Sequence, residues 1–238
     1  MIQINNLHHS FKNNNQTINV LKDISFNIEW QNFISIVGPS GCGKTTLVNI
    51  LAGYLKNNGG EIYINNKKIN KPGKDRVIIN QENDLFEWMT VEENIKFGAK
   101  NKENVDKYLE IVGLTNFKDH YPYQISGGMK KKTAIGRALA AEGDFIIMDE
   151  PFSSLDYQYR EKIHDELLYI WQKTKKTILL ITHDIEEAIY LSNKIIVFSD
   201  RPATIKETME INLGYPRNYK IKNSQGFIEL KNKIRELI

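Results

Sequence analysis

A chain of 238 residues, 41% apolar and 26% charged, has room for one α/β domain with a substantial core. Its net charge of +3 argues against nucleic acid as a partner, and Lys130-Lys131-Lys132 reads as a solvated helix face. A lone cysteine excludes an intramolecular disulfide, no apolar run nears the roughly 18 residues of a membrane span, and the N-terminus lacks a signal peptide's apolar stretch, so a soluble cytosolic protein is expected.

Residues 1–7 read as a strand, followed by Phe11 and an asparagine-rich polar loop. Ile24, Phe26 and Ile28 then alternate as a half-buried strand. The apolar strand 33–37 runs into Gly38-Pro39-Ser40-Gly41-Cys42-Gly43-Lys44-Thr45, which fits the phosphate-loop pattern G-x-x-x-x-G-K-[ST], and a helix-compatible stretch, 46–52, follows. Glycines let successive N–H groups face one concavity, and the helix N-terminus adds the positive end of its dipole. In such a loop Lys44 reaches the β- and γ-phosphates and the Thr45 hydroxyl serves Mg²⁺. Cys42, at a variable position, reads as small-residue packing in preference to a low-pKa thiol at a helix N-terminus.

A turn at 57–60 precedes the alternating strand 61–64, and Pro72-Gly73 breaks the chain before strand 76–79. From 84 to 142 helices replace strands. Thr90 and Glu93 form a capping box, Val105, Tyr108, Leu109 and Val112 share one helical face, and Ser126 caps a long helix. Residues 84–142 therefore read as a helical subdomain inserted into a core of 1–83 and 143–238. Strands return at 145–148, 177–182 and 194–198 with helices 156–173 and 185–191 between them, the alternation of a parallel sheet. Phe227, Leu230, Ile234 and Leu237 mark a C-terminal helix docked on the core.

Two further constellations carry chemistry. Strand 145–148 ends in Asp149-Glu150. In a phosphate-loop enzyme the first acid at such a strand's end holds Mg²⁺, and the second turns away and can face the attacking water. An Asp-Glu pair alone would be read as a surface turn; its place after an apolar strand reverses that. Ser126-Gly127-Gly128-Met129 leaves bare N–H groups at a helix start, a second anion site. Two phosphate sites in one chain imply two nucleotides or two subunits.

Together these residues resemble the ATP-binding subunit of ABC transporters over nearly the whole chain. Gln124-Ile125-Ser126-Gly127-Gly128-Met129 looks like the family's signature motif. Gln81 matches the Q-loop glutamine, Ser153-Ser154-Leu155-Asp156 the D-loop, and His183 in Thr182-His183-Asp184 the switch histidine. Phe11 stands where the family places an aromatic ring on adenine, although a lone aromatic or histidine is more often plain packing. Residues 85–94, Tyr121-Pro122-Tyr123-Gln124 and Asp200-Arg201-Pro202 resemble the nitrate/sulfonate/taurine importer group, some of whose members serve thiamine-precursor uptake. Met129 is usual for that group; Gly136 and Ala203-Thr204 depart from its common pattern.

The resemblance implies an α/β phosphate-loop NTPase fold, with an N-terminal antiparallel β subdomain and the inserted helical one. It implies a head-to-tail dimer in which each ATP lies between residues 38–46 of one copy, ending at Thr46, and Ser126-Gly127-Gly128 of the other. It places Lys44 on the phosphates, Thr45, Gln81 and Asp149 around Mg²⁺, Glu150 on the water, His183 near the γ-phosphate and Asp156 in the D-loop beside the nucleotide. The implied partners are two transmembrane permease subunits and, indirectly, a solute-binding protein, with the chain peripheral on the inner face of the membrane. Trp88 is either part of a groove for the membrane subunit's coupling helix or simply buried. The alternatives are a soluble ABC ATPase not coupled to transport and a phosphate-loop kinase or GTPase; Asn66-Lys67-Lys68-Ile69 misses the guanine-reading N-K-x-D at its last position.

Overall fold

Short apolar runs become buried strands and the capped segments between them become helices. The computed structural model describes residues 1–13, 16–81, 85–153 and 155–238. Two compact units emerge, Met1–Gly73 with Lys176–Ile238, and Lys74–Lys175.

The first unit begins with β1 (Ile2–Asn13), β2 (Gln16–Ile28), β3 (Phe33–Val37), α1 (Lys44–Ala52), β4 (Gly59–Ile64) and β5 (Lys67–Lys68). The second holds β6 (Arg76–Ile79), α2 (Val91–Gly98), α3 (Val105–Ile111), α4 (Gly127–Ala140), β7 (Phe145–Asp149) and α5 (Tyr157–Thr174). The chain returns to the first unit with β8 (Thr177–Ile181), α6 (Ile185–Leu191), β9 (Lys194–Phe198), β10 (Ile205–Glu210) and α7 (Gln225–Leu237).

In the first unit one sheet is antiparallel, in the order β2-β1-β4-β5. The other places β3 between β8 and β9, parallel to both, with β10 antiparallel on the outer edge of β9. Every residue of β3 and β8 is buried, as a parallel strand covered on both faces must be. The sequence reading missed β10: of its six residues only Met209 is buried, so its pattern is weak and the pairing with β9 decides it. The first strand is also longer than expected. Phe11 lies within β1, opposite Ile18, because the backbone ladder continues under polar side chains. Residues 14 and 15, read as loop, lie outside the described residues. The C-terminal helix forms as expected, capped by Ser224 and burying Phe227 and Ile234.

In the second unit β6 and β7 pair in parallel, Arg76 opposite Phe145 and Ile79 opposite Met148. The capping box at α2 is complete, with Thr90 Oγ1 accepting from Glu93 N at 3.2 Å and Glu93 Oε2 accepting from Thr90 N at 2.8 Å. Gly136 is a packing requirement: a Cβ there would come within 2.9 Å of Ile95 Cδ1, so α4 lies close against α2. Asn94 is fully buried and clamps the preceding segment, accepting from Phe86 N and donating to the carbonyls of Phe86, Met89 and Thr90. Among the described residues no helix is long and apolar enough to cross a membrane.

Candidate active site

In the first unit the site is built where parallel strands end. Thr182 N donates to Ile36 O at 3.2 Å, so the carboxyl ends of β3 and β8 lie side by side. That edge is where open α/β sheets bind ligands. It brings the loop 38–45, leaving β3, together with His183, which follows β8 and is exposed. The loop cannot take a side chain at Gly43: its φ is +126° and a Cβ would lie 2.7 Å from Val20 Cγ1 of β2. Gly43 also offers no side-chain cap to α1, so the first-turn N–H groups face outward for an anion.

Lys44 is 5% exposed, and its ammonium donates to Gly38 O at 2.7 Å and Pro39 O at 2.8 Å. The loop thus wraps its own cation. Thr45 is exposed and Thr46 half-buried on the first turn of α1, while Ser40 and Gly41 form the outer rim. Cys42 is buried against the loop, and burial pushes its thiol above the ordinary value. This supports packing over the low-pKa thiol. Phe11 is 44% exposed and meets His9 edge-on at 4.7 Å, on the strand paired with the one that backs Gly43.

In the second unit the β6–β7 register sets Gln81 and the Asp149-Glu150 pair at one carboxyl edge. Asp149 ends β7 and is 8% exposed. Glu150 has φ +44°, a left-handed turn costing about 1–2 kcal/mol for a residue with a Cβ. That turn changes the backbone's direction between the two acids. Ser126 Oγ caps α4 by accepting from Met129 N at 3.3 Å, with Ser126 and Gly127 exposed. Gly128 packs over Tyr159 and Ile163 of α5. Asp156 caps α5 through Tyr159 N at 3.1 Å, and Ser154 of the D-loop lies outside the described residues.

One expectation is overturned. Lys131 is not on a solvated face: it is fully buried, and its ammonium donates to Asn80 O at 3.4 Å and Gln81 O at 3.3 Å. The signature helix therefore anchors the backbone that carries Gln81. Three adjacent lysines on a helix point in three directions, so a run of charge does not define a face. Lys130 and Lys132 pair instead with Glu87 and Glu166 at 3.7 and 3.2 Å. Lys131→Met should lower stability by about 1–2 kcal/mol, seen as a lower urea midpoint, whereas Lys130→Met should stay within about 0.5 kcal/mol.

Trp88 is 72% exposed, so its burial is excluded. It meets Phe86 at 5.2 Å; Phe97, also exposed, meets Phe86 at 4.6 Å, and the Arg137 guanidinium lies 5.5 Å from the Phe86 ring.

Residues 21–153 match the ABC transporter family. The chain is 43% identical to an "Aliphatic sulfonates import ATP-binding protein SsuB" of Bacillus thuringiensis subsp. konkukian, across 98% of this chain and 94% of the relative. It is 39% identical to an "Uncharacterized ABC transporter ATP-binding protein" of Methanocaldococcus jannaschii, across 100% of this chain and 91% of the relative. Among solved structures, the dimeric ATP-binding cassette MJ0796 in a post-hydrolysis state with ADP and Pi superposes with a TM-score of 0.75 at 29% identity, covering 90% of this chain and all of the other. With a phosphate loop wrapped on its own lysine and an acid pair divided by a backbone turn at a strand's end, the chain belongs to the ABC transporter family, as an ATP-binding subunit that hydrolyses ATP.

Proposed function

We propose that this chain is the motor of an importer for a small anionic or polar solute, of the nitrate, sulfonate and taurine type or the thiamine-precursor type. The observation that carries this reading is the end-to-end likeness to aliphatic sulfonate import subunits. Residues 84–142 act as the helical signature subdomain and residues 1–83 with 143–238 as the core. The working form is a head-to-tail dimer, a reading supported by the dimeric state of the MJ0796 cassette. Each ATP then lies between residues 38–46 of one copy and Ser126-Gly127-Gly128 of the other, which explains two anion sites in one chain. Phe11 offers an exposed ring for adenine, and Asp156, which caps α5, belongs to the D-loop beside the nucleotide.

The donors suit Mg²⁺, a hard cation that takes oxygen ligands and usually keeps one or two carboxylates beside substrate phosphates. The Thr45 hydroxyl, the Gln81 amide oxygen and the Asp149 carboxylate would hold it; when bound, it neutralises phosphate charge. Lys44 exchanges the Gly38 and Pro39 carbonyls for phosphate oxygens, so its place is prepared before ATP arrives. Glu150 polarises the attacking water and takes its proton, and His183 hydrogen-bonds toward the γ-phosphate. Positioning and charge carry the transfer, with no covalent enzyme intermediate.

The exposed aromatics Trp88 and Phe97, joined through Phe86, support docking of a permease helix, because a contiguous exposed apolar patch, unlike single exposed residues, marks an interaction surface. Such docking places the chain on the inner face of the membrane, beside two permease subunits that take solute from a separate binding protein. Co-purification from detergent-solubilised membranes is the test. Recovery of the chain with two membrane subunits, lost in Trp88→Ala, is the expected result. A chain that never associates with a membrane protein would sink the importer reading and leave a soluble ABC ATPase.

A further inference from the structure

The segment after β10 closes the helix that follows His183, and nothing in the mechanism above uses it. The last carbonyls of a helix have no intrahelical partners. At the end of α6 Ala188 O accepts from the capping Ser192 N, and the carbonyls after it are taken from outside the helix. Arg217 Nη1 donates to Ile189 O at 2.9 Å, Tyr190 O at 2.8 Å and Ser192 O at 2.8 Å, and the Tyr215 hydroxyl donates to Leu191 O at 3.3 Å. The rest of the guanidinium is held as firmly: Nε and Nη2 donate to Leu213 O at 3.3 and 3.0 Å, and the Tyr215 ring centroid lies 4.1 Å from its carbon. Arg217 is 6% exposed, far more buried than an arginine with only a surface role.

The other end and the flank of α6 are tied as well. The Thr182 hydroxyl donates to the Glu187 carboxylate and accepts from Asp184 N, and Asp184 caps the helix through Glu186 N and Glu187 N at 2.9 and 3.1 Å. Glu186 pairs with Lys231 of α7 and lies 3.8 Å from Lys222. A helix of seven residues is too short to be stable by itself, so these ties set its direction. At about 1.5 Å per residue it is a lever of about 10 Å, and a tilt of about 6° at the Arg217 end is worth about 1 Å at the other. His183 sits two residues before the first residue of that lever.

We propose that Arg217, assisted by Tyr215, is a positioning residue for His183: its planar fork fixes α6 so that the imidazole returns to one place at every turnover. This rests on the reading of His183 as the γ-phosphate contact. The planar fork holds two sides at once, Nη1 on the carbonyls ending α6 and Nε with Nη2 on Leu213 O, whereas the single nitrogen of a lysine cannot span both. Misplacing a reacting group by about 1 Å can cost about a hundredfold, and a partial loosening correspondingly less.

The test is steady-state ATPase of the full chain with Mg-ATP, beside equilibrium nucleotide binding and a thermal melt. Arg217→Lys should lower kcat about tenfold while KM and the nucleotide Kd change less than about twofold, the split that marks an effect confined to the chemical step. In a His183→Ala background the same change should add nothing, a non-additivity that general loosening of the fold would not produce. If Arg217→Lys fails to fold, Tyr215→Phe, which removes one hydroxyl, carries the same cycle with an expected loss of about threefold. A normal kcat in the arginine or tyrosine variant, or losses that add fully to those of His183→Ala, overturns the proposal. A His183→Ala chain that hydrolyses ATP at the normal rate removes the His183 reading instead, and the proposal falls with it.

Discussion

Glu150→Gln should lower the rate of ATP hydrolysis by about 10²–10³-fold or more while leaving ATP binding intact. The amide has the shape of the carboxylate, so the left-handed turn at φ +44° and the hydrogen bonds from Ser153 N and Oγ to the Glu150 carbonyl are undisturbed. What disappears is the charge that polarises water and the lone pair that takes its proton. The phosphate loop is in the other compact unit and keeps its lysine, so nucleotide still enters. A chain that binds and does not hydrolyse should accumulate as an ATP-bound pair of copies. Phosphate release and gel filtration with and without ATP read both effects. Hydrolysis near the normal rate would refute the role given to Glu150.

Lys44→Ala carries the second large effect. Its ammonium is held at 2.7 and 2.8 Å by two loop carbonyls and is almost wholly out of water. Removing it takes away the loop's own cation and leaves the triphosphate to the backbone dipoles and the metal, and hydrolysis should fall about 10²-fold or further with weakened nucleotide affinity. Ser126→Arg should abolish hydrolysis differently: the new side chain fills the space before the bare N–H groups of α4, while the chain's own loop still binds ATP. Mixing the two variants tests the composite site. In a mixed pair one site combines the intact loop of the Ser126→Arg chain with the intact signature of the Lys44→Ala chain. ATP hydrolysis regained by the mixture, and shown by neither variant alone, is the expected result. No hydrolysis in the mixture would mean that loop and signature do not act across two copies.

Much of this was legible without coordinates, because it depends on neighbours in the chain. The loop 38–45 lies between a strand and a helix, Thr90 and Glu93 close a capping box, and Ser126 caps the helix it was expected to start. Each is a pattern of a few residues whose backbone chemistry is complete within one or two turns. β10 was not legible, since a half-polar run of six residues becomes a strand only when β9 supplies the partner ladder. The same limit applied to Lys131, which looked like any surface lysine until α4 was placed over the end of β6.

By itself, then, the sequence determined the phosphate loop, the order of strands and helices around it, and which acid ends a strand. These follow from spacing, and spacing is local. Only the tertiary structure decided which lysine of three is buried, that Trp88 is exposed, that Gly43 and Gly136 are crowded, and that Arg217 closes the helix beginning just after His183. Those facts depend on residues tens of positions apart meeting in space, and no local periodicity encodes which of them will meet.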